Sequence, residues 1–162
     1  MLTCESLRLI FDELEDIDRV IVVFSGLIPP YPIGDVCLRY FQGHLTFLVD
    51  IGCRQYWICN TAAYTGSLES LKYAHENGCP WDEDTCVYAA RARSLECLKY
   101  AHENGCPWNE ETCGSSAVVK SLECLEYAHS HGCPWDRWTY VRAAWSGSFE
   151  CLEYLKSNGC PQ

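Results

Sequence analysis

The feature that most constrains this chain is a short pattern that returns every 27 residues. A Gly-Cys-Pro-Trp run followed by Asp or Asn stands at 78–82, 105–109 and 132–136, and its first three residues return at 159–161. Between these runs the sequence repeats as well, since residues 94–104 closely match residues 67–77. A fixed period of roughly 20–50 residues is typical of stacked repeat units that bury a core only against their neighbours.

Each repeat is predicted to contain two short helices. In the second full repeat, Asp82 is a suitable N-cap for a first helix and Ser94 for a second. Gly105 suits a left-handed residue after the second helix, and Pro107 prevents that helix from continuing. A turn of about three residues between the two helices makes them antiparallel neighbours. We therefore expect an all-α fold, a solenoid of stacked antiparallel helix pairs preceded by a helical N-terminal segment.

The same pattern divides the chain into segments. Residues 1–42 carry no repeat and are predicted to be helical, with a proline-rich loop at 29–34. The predicted segments are the N-terminal segment 1–42, a degenerate first repeat at 43–53, and four full repeats at 54–80, 81–107, 108–134 and 135–162.

The composition limits the cellular compartment and the class of partner that the protein can have. The formal net charge of −10 disfavours nucleic acid and suits a protein partner, a basic one included. We expect the 13 cysteines to be buried thiols. Most of them occupy equivalent positions in successive repeats, and stacked repeats hold such positions too far apart for a disulfide. The N-terminus has no signal-peptide pattern, and the longest apolar run, residues 20–24, is too short to cross a membrane. We expect an intracellular protein of the cytoplasm or nucleus that is not secreted.

Catalytic and metal chemistry are not indicated. His75, Cys79 and Cys86 lack the close spacing of zinc ligands, and no fourth ligand is evident. His75 and its equivalents are read instead as charges near helix C-termini. Nucleophilic catalysis needs one arrangement of nucleophile, base and orienting group, whereas here each such residue recurs in several repeats. We expect no enzyme activity, no cofactor and no metal.

The helix pairs resemble ankyrin repeats. Ala-Ala followed by Gly-Ser-Leu/Phe-Glu, at 62–69 and 143–150, is similar to the ankyrin inter-helix signature, and Glu-Asn-Gly-Cys at 103–106 to the end of its second helix. The resemblance covers residues 43–162. The period is shorter than in ankyrin repeats, and the β-hairpin finger is reduced to Cys-Pro-Trp. The variant resembles short ankyrin-like repeats of large DNA viruses (which act inside a host cell) and some unicellular eukaryotes. The resemblance implies protein binding through the first helices.

The N-terminal segment resembles an F-box at several positions, although Thr3 stands where that family has proline. This resemblance implies a substrate receptor of a cullin-type ubiquitin ligase. An apolar cap for the solenoid is the alternative. The positions that would contact a ubiquitin-ligase adaptor are Leu2, Leu7, Ile10, Phe11 and Leu14.

Positions at which the repeats disagree identify a candidate binding surface. When the repeats are aligned, each set of equivalent positions forms a column. Two variable columns lie seven residues apart on the first helices and share one face, and a third variable column lies between them. Aromatic side chains beside arginines are typical of binding hot spots. An alternative is that the aromatics cover the ends of a short stack. The predicted binding residues are Trp57, Thr61, Tyr64, Asp84, Tyr88, Arg91, Glu111, Trp138, Arg142 and Trp145.

Three functions are compatible with this sequence. The first is a non-catalytic module that binds a protein through the first helices, and the second is the ubiquitin-ligase receptor. The third is a structural or degenerate repeat protein, which Gly114 within a predicted helix favours because glycine costs about 1 kcal/mol there. The last repeat is expected to present a partly apolar edge.

Overall fold

The computed structural model describes residues 56–162, and this range is entirely helical apart from its turns. It contains eight helices and no β-strand, which confirms the all-α prediction for this part of the chain. The helices are α1 (Tyr56–Tyr64), α2 (Leu68–Glu76), α3 (Glu83–Arg91), α4 (Leu95–Glu103), α5 (Glu110–Val118), α6 (Leu122–Ser130), α7 (Arg137–Ser146) and α8 (Phe149–Ser157).

Each repeat contributes one pair of these helices. The first helix of a repeat, here called helix A, is α1, α3, α5 or α7, and the second, helix B, is α2, α4, α6 or α8. The two helices of a pair pack together, each helix A packs on the next helix A, and each helix B packs on the next helix B. A repeat therefore buries its apolar surface against its neighbours in sequence.

The predicted helix ends are confirmed in the second repeat. The Asp82 carboxylate accepts a hydrogen bond from the Asp84 backbone N–H at 3.2 Å, so Asp82 is the N-cap of α3. Ser94 accepts from the Cys97 N–H at 3.3 Å and caps α4. Gly105 has φ of +86°, the left-handed conformation expected after helix B.

The turn between the helices of a pair also requires a left-handed residue. Gly66 and Gly147 fill this position in the first and last repeats, with φ of +69° and +67°. Arg93 and Lys120 fill it in the two middle repeats, with φ of +57° and +59°. A side chain in this conformation costs about 1–2 kcal/mol, so the middle repeats tolerate strain that glycine avoids.

The cysteines are buried, as predicted, but they also donate hydrogen bonds. All ten described cysteines are free thiols with buried side chains. The Cys106 thiol donates to the backbone carbonyl of Asp82 at 3.1 Å, and Cys133 makes the equivalent bond to Asn109 at 3.2 Å. Each bond ties the end of a repeat to the N-cap that opened it. The prediction of buried thiols therefore missed a hydrogen-bonding role for them.

Several predictions concern residues outside the described range. The N-terminal segment 1–42, the degenerate repeat 43–53 and the F-box-like positions Leu2, Leu7, Ile10, Phe11 and Leu14 all lie before residue 56. Within 56–162, no helix combines the length and the apolar character needed to span a bilayer.

Candidate functional site

Each junction between repeats contains the same three aromatic side chains. Trp81 stacks on His75, with ring centroids 3.6 Å apart and planes inclined by 14°. Tyr100 of the following helix B meets the edge of Trp81 at 6.2 Å, and its hydroxyl lies 3.1 Å from His75 Nδ1. The Trp of each repeat run thus closes the junction between two units. The histidine stacks on this ring, a role that the helix-end interpretation missed.

The middle junction differs from the other two. His102 stacks on Trp108 at 3.7 Å, but the buried Tyr127 hydroxyl has no hydrogen-bond partner within the described part of the chain. The ring of His131 lies 4.2 Å from that of Tyr127. Burial, together with the nearby His131, lowers the pKa of His102. Protonation of this junction is therefore disfavoured.

The predicted binding residues form contacts from one helix A to the next. The rings of Tyr64 on α1 and Tyr88 on α3 meet edge to face at 5.8 Å. The Arg91 guanidinium lies 6.0 Å from the centre of the Tyr88 ring, and its Nη2 is 3.9 Å from Glu111 Oε1 on α5. These residues join neighbouring repeats. The variable columns therefore serve at least partly as repeat-to-repeat contacts, a role that the sequence analysis did not predict.

Glu111 also pairs with Arg142 on α7, and a glycine makes this pairing possible. Arg142 Nη1 donates to Glu111 Oε2. A Cβ on Gly114 would lie 2.5 Å from Arg142 Nη1, so the arginine crosses α5 where no side chain stands. Gly114 is therefore explained by packing rather than by degeneration of the third repeat.

For two of the predicted binding residues, Thr61 and Asp84, the variable columns did not indicate the burial or the charge of the surroundings. Thr61 is only 4% exposed, so it lies beneath the proposed surface. Asp84 is exposed, and its pKa is raised, first by partial burial and then by the neighbouring Asp82 and Glu83 carboxylates. The start of α3 is therefore a concentration of negative charge.

These contacts define which side of a repeat faces its successor, here called the forward surface. Tyr64 reaches forward to Tyr88, Arg91 to Glu111, and Glu111 to Arg142. Two of the variable columns, which contain Tyr64, Arg91 and Glu111, thus lie on the forward surface. In the first three repeats, the following helix pair packs against this surface.

In the last repeat the forward surface is open and aromatic. Trp138 is 59% exposed and Trp145 is 80% exposed, and they lie seven residues apart on α7. Phe149, at the start of α8, is 82% exposed. Ala144 between them is exposed too. The predicted apolar edge of the last repeat is confirmed.

Sequence reasoning selected Trp138 and Trp145 but missed Phe149 and Ala144. Phe149 occupies a column that is leucine in the other three repeats, at Leu68, Leu95 and Leu122. That substitution of leucine by a larger aromatic was the available signal. The sequence carried no such signal for Ala144, because alanine is present in this column in every repeat.

No protein-family profile and no curated protein matches this chain. Across residues 56–162 there is no cluster of three or more histidine, cysteine or carboxylate side chains that could hold a metal ion.

Proposed function

We propose that the chain is a non-catalytic protein-binding module, an ankyrin-like solenoid that contacts its partner through helix A. The observation that carries this proposal is the pair of exposed tryptophans on α7. Trp138 and Trp145 flank Arg142, which Glu111 holds in place. Tryptophan and arginine are the residue types most enriched at binding hot spots. An exposed tryptophan gains much from burial by a partner and loses little conformational entropy.

Helix-to-helix packing from repeat to repeat supports the solenoid. Helix A packs on helix A and helix B on helix B along the described residues, without a layer that closes the stack. An open array of this kind presents an extended row of side chains, which suits recognition of another protein. The columns on this row vary between repeats, whereas the buried cysteine column at 79, 106, 133 and 160 does not. The surface can therefore differ between repeats while this part of the core is kept.

The chemistry of the thiols also favours a binding module over an enzyme. Burial raises the pKa of Cys59 to about 12. The pKa of Cys86 is raised first by a side-chain hydrogen bond to Cys106, which holds the proton on Cys86, and then by burial. Reactive cysteines need a thiolate, so thiols that remain protonated at neutral pH are poor nucleophiles.

Charge limits the class of partner. The two middle repeats carry nine carboxylates and four lysines or arginines, which gives a formal charge of −5 over residues 81–134. Such a surface repels nucleic acid, whose binding requires clustered cations. A protein partner that contacts the middle helices is therefore expected to present basic side chains there.

The test is capture of partners by the full-length chain from the cell type in which it is made. We expect Trp145→Ala and Trp138→Ala to reduce capture at least about tenfold, the usual effect of removing a hot-spot side chain. A matched pair in one repeat separates helix A from helix B. Arg91 and Lys99 are both exposed cations near a tyrosine ring, one on α3 and one on α4.

Arg91→Ala should weaken capture, and Lys99→Ala should leave it unchanged. Circular dichroism spectra of all variants should be the same, because the mutated side chains are exposed. Equal capture by the chain and both tryptophan variants would contradict the proposal and favour a purely structural repeat protein.

A further inference from the structure

We propose that Asn77, Asn104 and Asn158 are sites of spontaneous deamidation, a reaction with water that removes an amide from the end of helix B and loosens the junction there. Each of these asparagines is exposed, and each is followed by glycine, at 78, 105 and 159. Glycine has no side chain to hinder the approach of its backbone nitrogen to the side chain before it. This inference goes beyond the proposed function and does not rest on it.

The reaction needs water and no other reagent. The Gly105 backbone nitrogen attacks the side-chain carbon Cγ of Asn104, so that a bond forms between these two atoms and the bond from Cγ to Nδ2 breaks. Ammonia leaves with the proton of the glycine nitrogen, and a cyclic succinimide remains. Water then opens the ring at either of its carbonyl carbons, which gives aspartate or isoaspartate. Both products carry a carboxylate in place of the amide.

The three amides have the same structural role in their repeats. Asn104 Nδ2 donates to the backbone carbonyl of Tyr100 at 2.8 Å. The equivalent bonds of Asn77 and Asn158, each to the carbonyl four residues earlier, measure 2.8 and 2.9 Å. These carbonyls lie in the last turn of helix B, where backbone N–H partners are lacking and the helix dipole is negative. A carboxylate cannot donate this bond and is repelled by the carbonyl oxygens, so deamidation destabilises the helix end.

In the second repeat this helix end forms part of the junction with the third. His102 stacks on Trp108, with ring centroids 3.7 Å apart, and lies two residues before Asn104. The Gly105 N–H donates to the His102 carbonyl at 3.0 Å, which fixes the turn that leads to Trp108. Aspartate repels the carbonyls of this turn, and isoaspartate lengthens its main chain by one carbon. Either product therefore loosens the junction.

The folded conformation slows the reaction. At Asn104 the backbone has φ of −99° and ψ of 17°, close to the helical values. Ring closure requires the glycine nitrogen to eclipse Cβ, which needs a large rotation about the Cα–C bond of the asparagine. That rotation breaks the hydrogen bond from Gly105 to His102. The reaction therefore proceeds through local opening of the last turn of helix B, and its rate reports how often the turn opens.

The chain contains its own unreactive counterparts. In the third repeat His131 replaces the asparagine, and its Nδ1 lies 2.8 Å from the Tyr127 carbonyl, so the contact is kept without an amide. The two remaining asparagines are Asn60, which is buried and precedes threonine, and Asn109, which precedes glutamate. The side chain of the following residue hinders the attacking nitrogen at both positions. We expect neither to react at a comparable rate.

The experiment is ageing of the full-length chain at neutral pH with a reductant, in native buffer and in guanidinium chloride. Peptide mass spectrometry locates the conversions, and enzymatic methylation identifies isoaspartate. We expect conversion at Asn77, Asn104 and Asn158, faster in guanidinium chloride than in native buffer. His131→Asn should add a fourth reactive site. Asn104→Gln should remove one, because glutamine must form a larger ring and reacts far more slowly.

Asn104→Asp tests the structural consequence without the ageing step. It places the product carboxylate at the end of α4 and should lower the ratio of folded to unfolded chain about five- to thirtyfold. Asn109→Asp is the matched control. It adds the same charge at the N-cap of α5, where aspartate and asparagine are equally good caps, and should not lower stability. Urea unfolding at neutral pH measures both variants.

The inference is overturned if the three amides survive ageing in guanidinium chloride, or if Asn60 and Asn109 react as fast as they do. Equal rates in native buffer and in guanidinium chloride would contradict the route through local opening. An Asn104→Asp variant that is as stable as the unchanged chain would contradict the role of the amide at the helix end. A fourth site in His131→Asn, together with a stability loss confined to Asn104→Asp, supports the inference.

Discussion

The third and last repeats have the same backbone plan but opposite forward surfaces. In the third repeat Ala117 is 0% exposed and α7 packs over α5, with the Ser146 hydroxyl donating to the Ala117 carbonyl at 3.2 Å. In the last repeat Ala144 occupies the same column and is exposed. One column of identical residues thus has two environments, and the difference comes only from the following helix pair.

The comparison also separates two uses of the variable columns. In the third repeat they hold Glu111, which binds the next repeat through Arg142. In the last repeat the equivalent side chain is Trp138, 59% exposed. Inside the stack a variable column thus makes contacts with the next repeat, even where a side chain such as Arg91 stays exposed, and in the last repeat the same column is open.

The largest contrast should appear when both alanines are enlarged. Ala117→Leu adds bulk beneath α7 and should destabilise the fold by about 1–3 kcal/mol. Ala144→Leu adds the same bulk at an exposed position and should change stability by no more than about 0.5 kcal/mol. Urea unfolding of the two variants at a concentration where the chain is monomeric measures the difference. Equal losses would show that the last forward surface is covered.

A smaller contrast concerns the turn between the two helices. Lys120→Gly removes the left-handed lysine of the third repeat and should stabilise the fold by about 0.5–1 kcal/mol. Gly147→Lys introduces the same strain in the last repeat and should destabilise it by a similar amount. Thermal unfolding measures both changes. A destabilising Lys120→Gly would mean that the lysine side chain contributes more than its backbone strain costs.

The smallest effect should be the pH dependence of the middle junction. Burial and His131 hold the pKa of His102 below its ordinary value of about 6.5, although Glu103 acts in the opposite direction. The unfolded chain therefore takes up a proton first, and stability that is full above about pH 6.5 falls as the pH drops towards the lower folded value.

Urea unfolding at pH 7.5 and 5.5 tests this sign. His102→Gln should reduce the loss of stability between the two pH values. The last repeat provides the control, since Lys156 occupies the histidine column there. Lys156→Gln should leave the pH dependence unchanged. A chain that gains stability towards pH 5.5 through His102 would contradict the assignment.

Local chemistry made much of this structure predictable. Asp82 and Ser94 cap helices because their short side chains reach nearby backbone N–H groups, a preference that does not depend on the rest of the fold. Gly105 adopts a left-handed conformation for a similarly local reason. The candidate surface was only partly predictable. Thr61 belongs to the same helix face as Tyr64 by spacing, yet its neighbours bury it.

By itself the sequence determined the period, the helix pairs, their caps and the burial of the cysteine columns, because each depends on residues within one or two helical turns. Only the tertiary structure decided which columns face the next repeat. It placed Arg142 over Gly114, stacked each junction histidine on tryptophan, and left Ala144 and Phe149 open. Each of these outcomes depends on how one repeat meets the next. Arg142 and Gly114 belong to different repeats, and so do the stacked His75 and Trp81, although the latter are only six positions apart. No pattern within a single helix records such contacts.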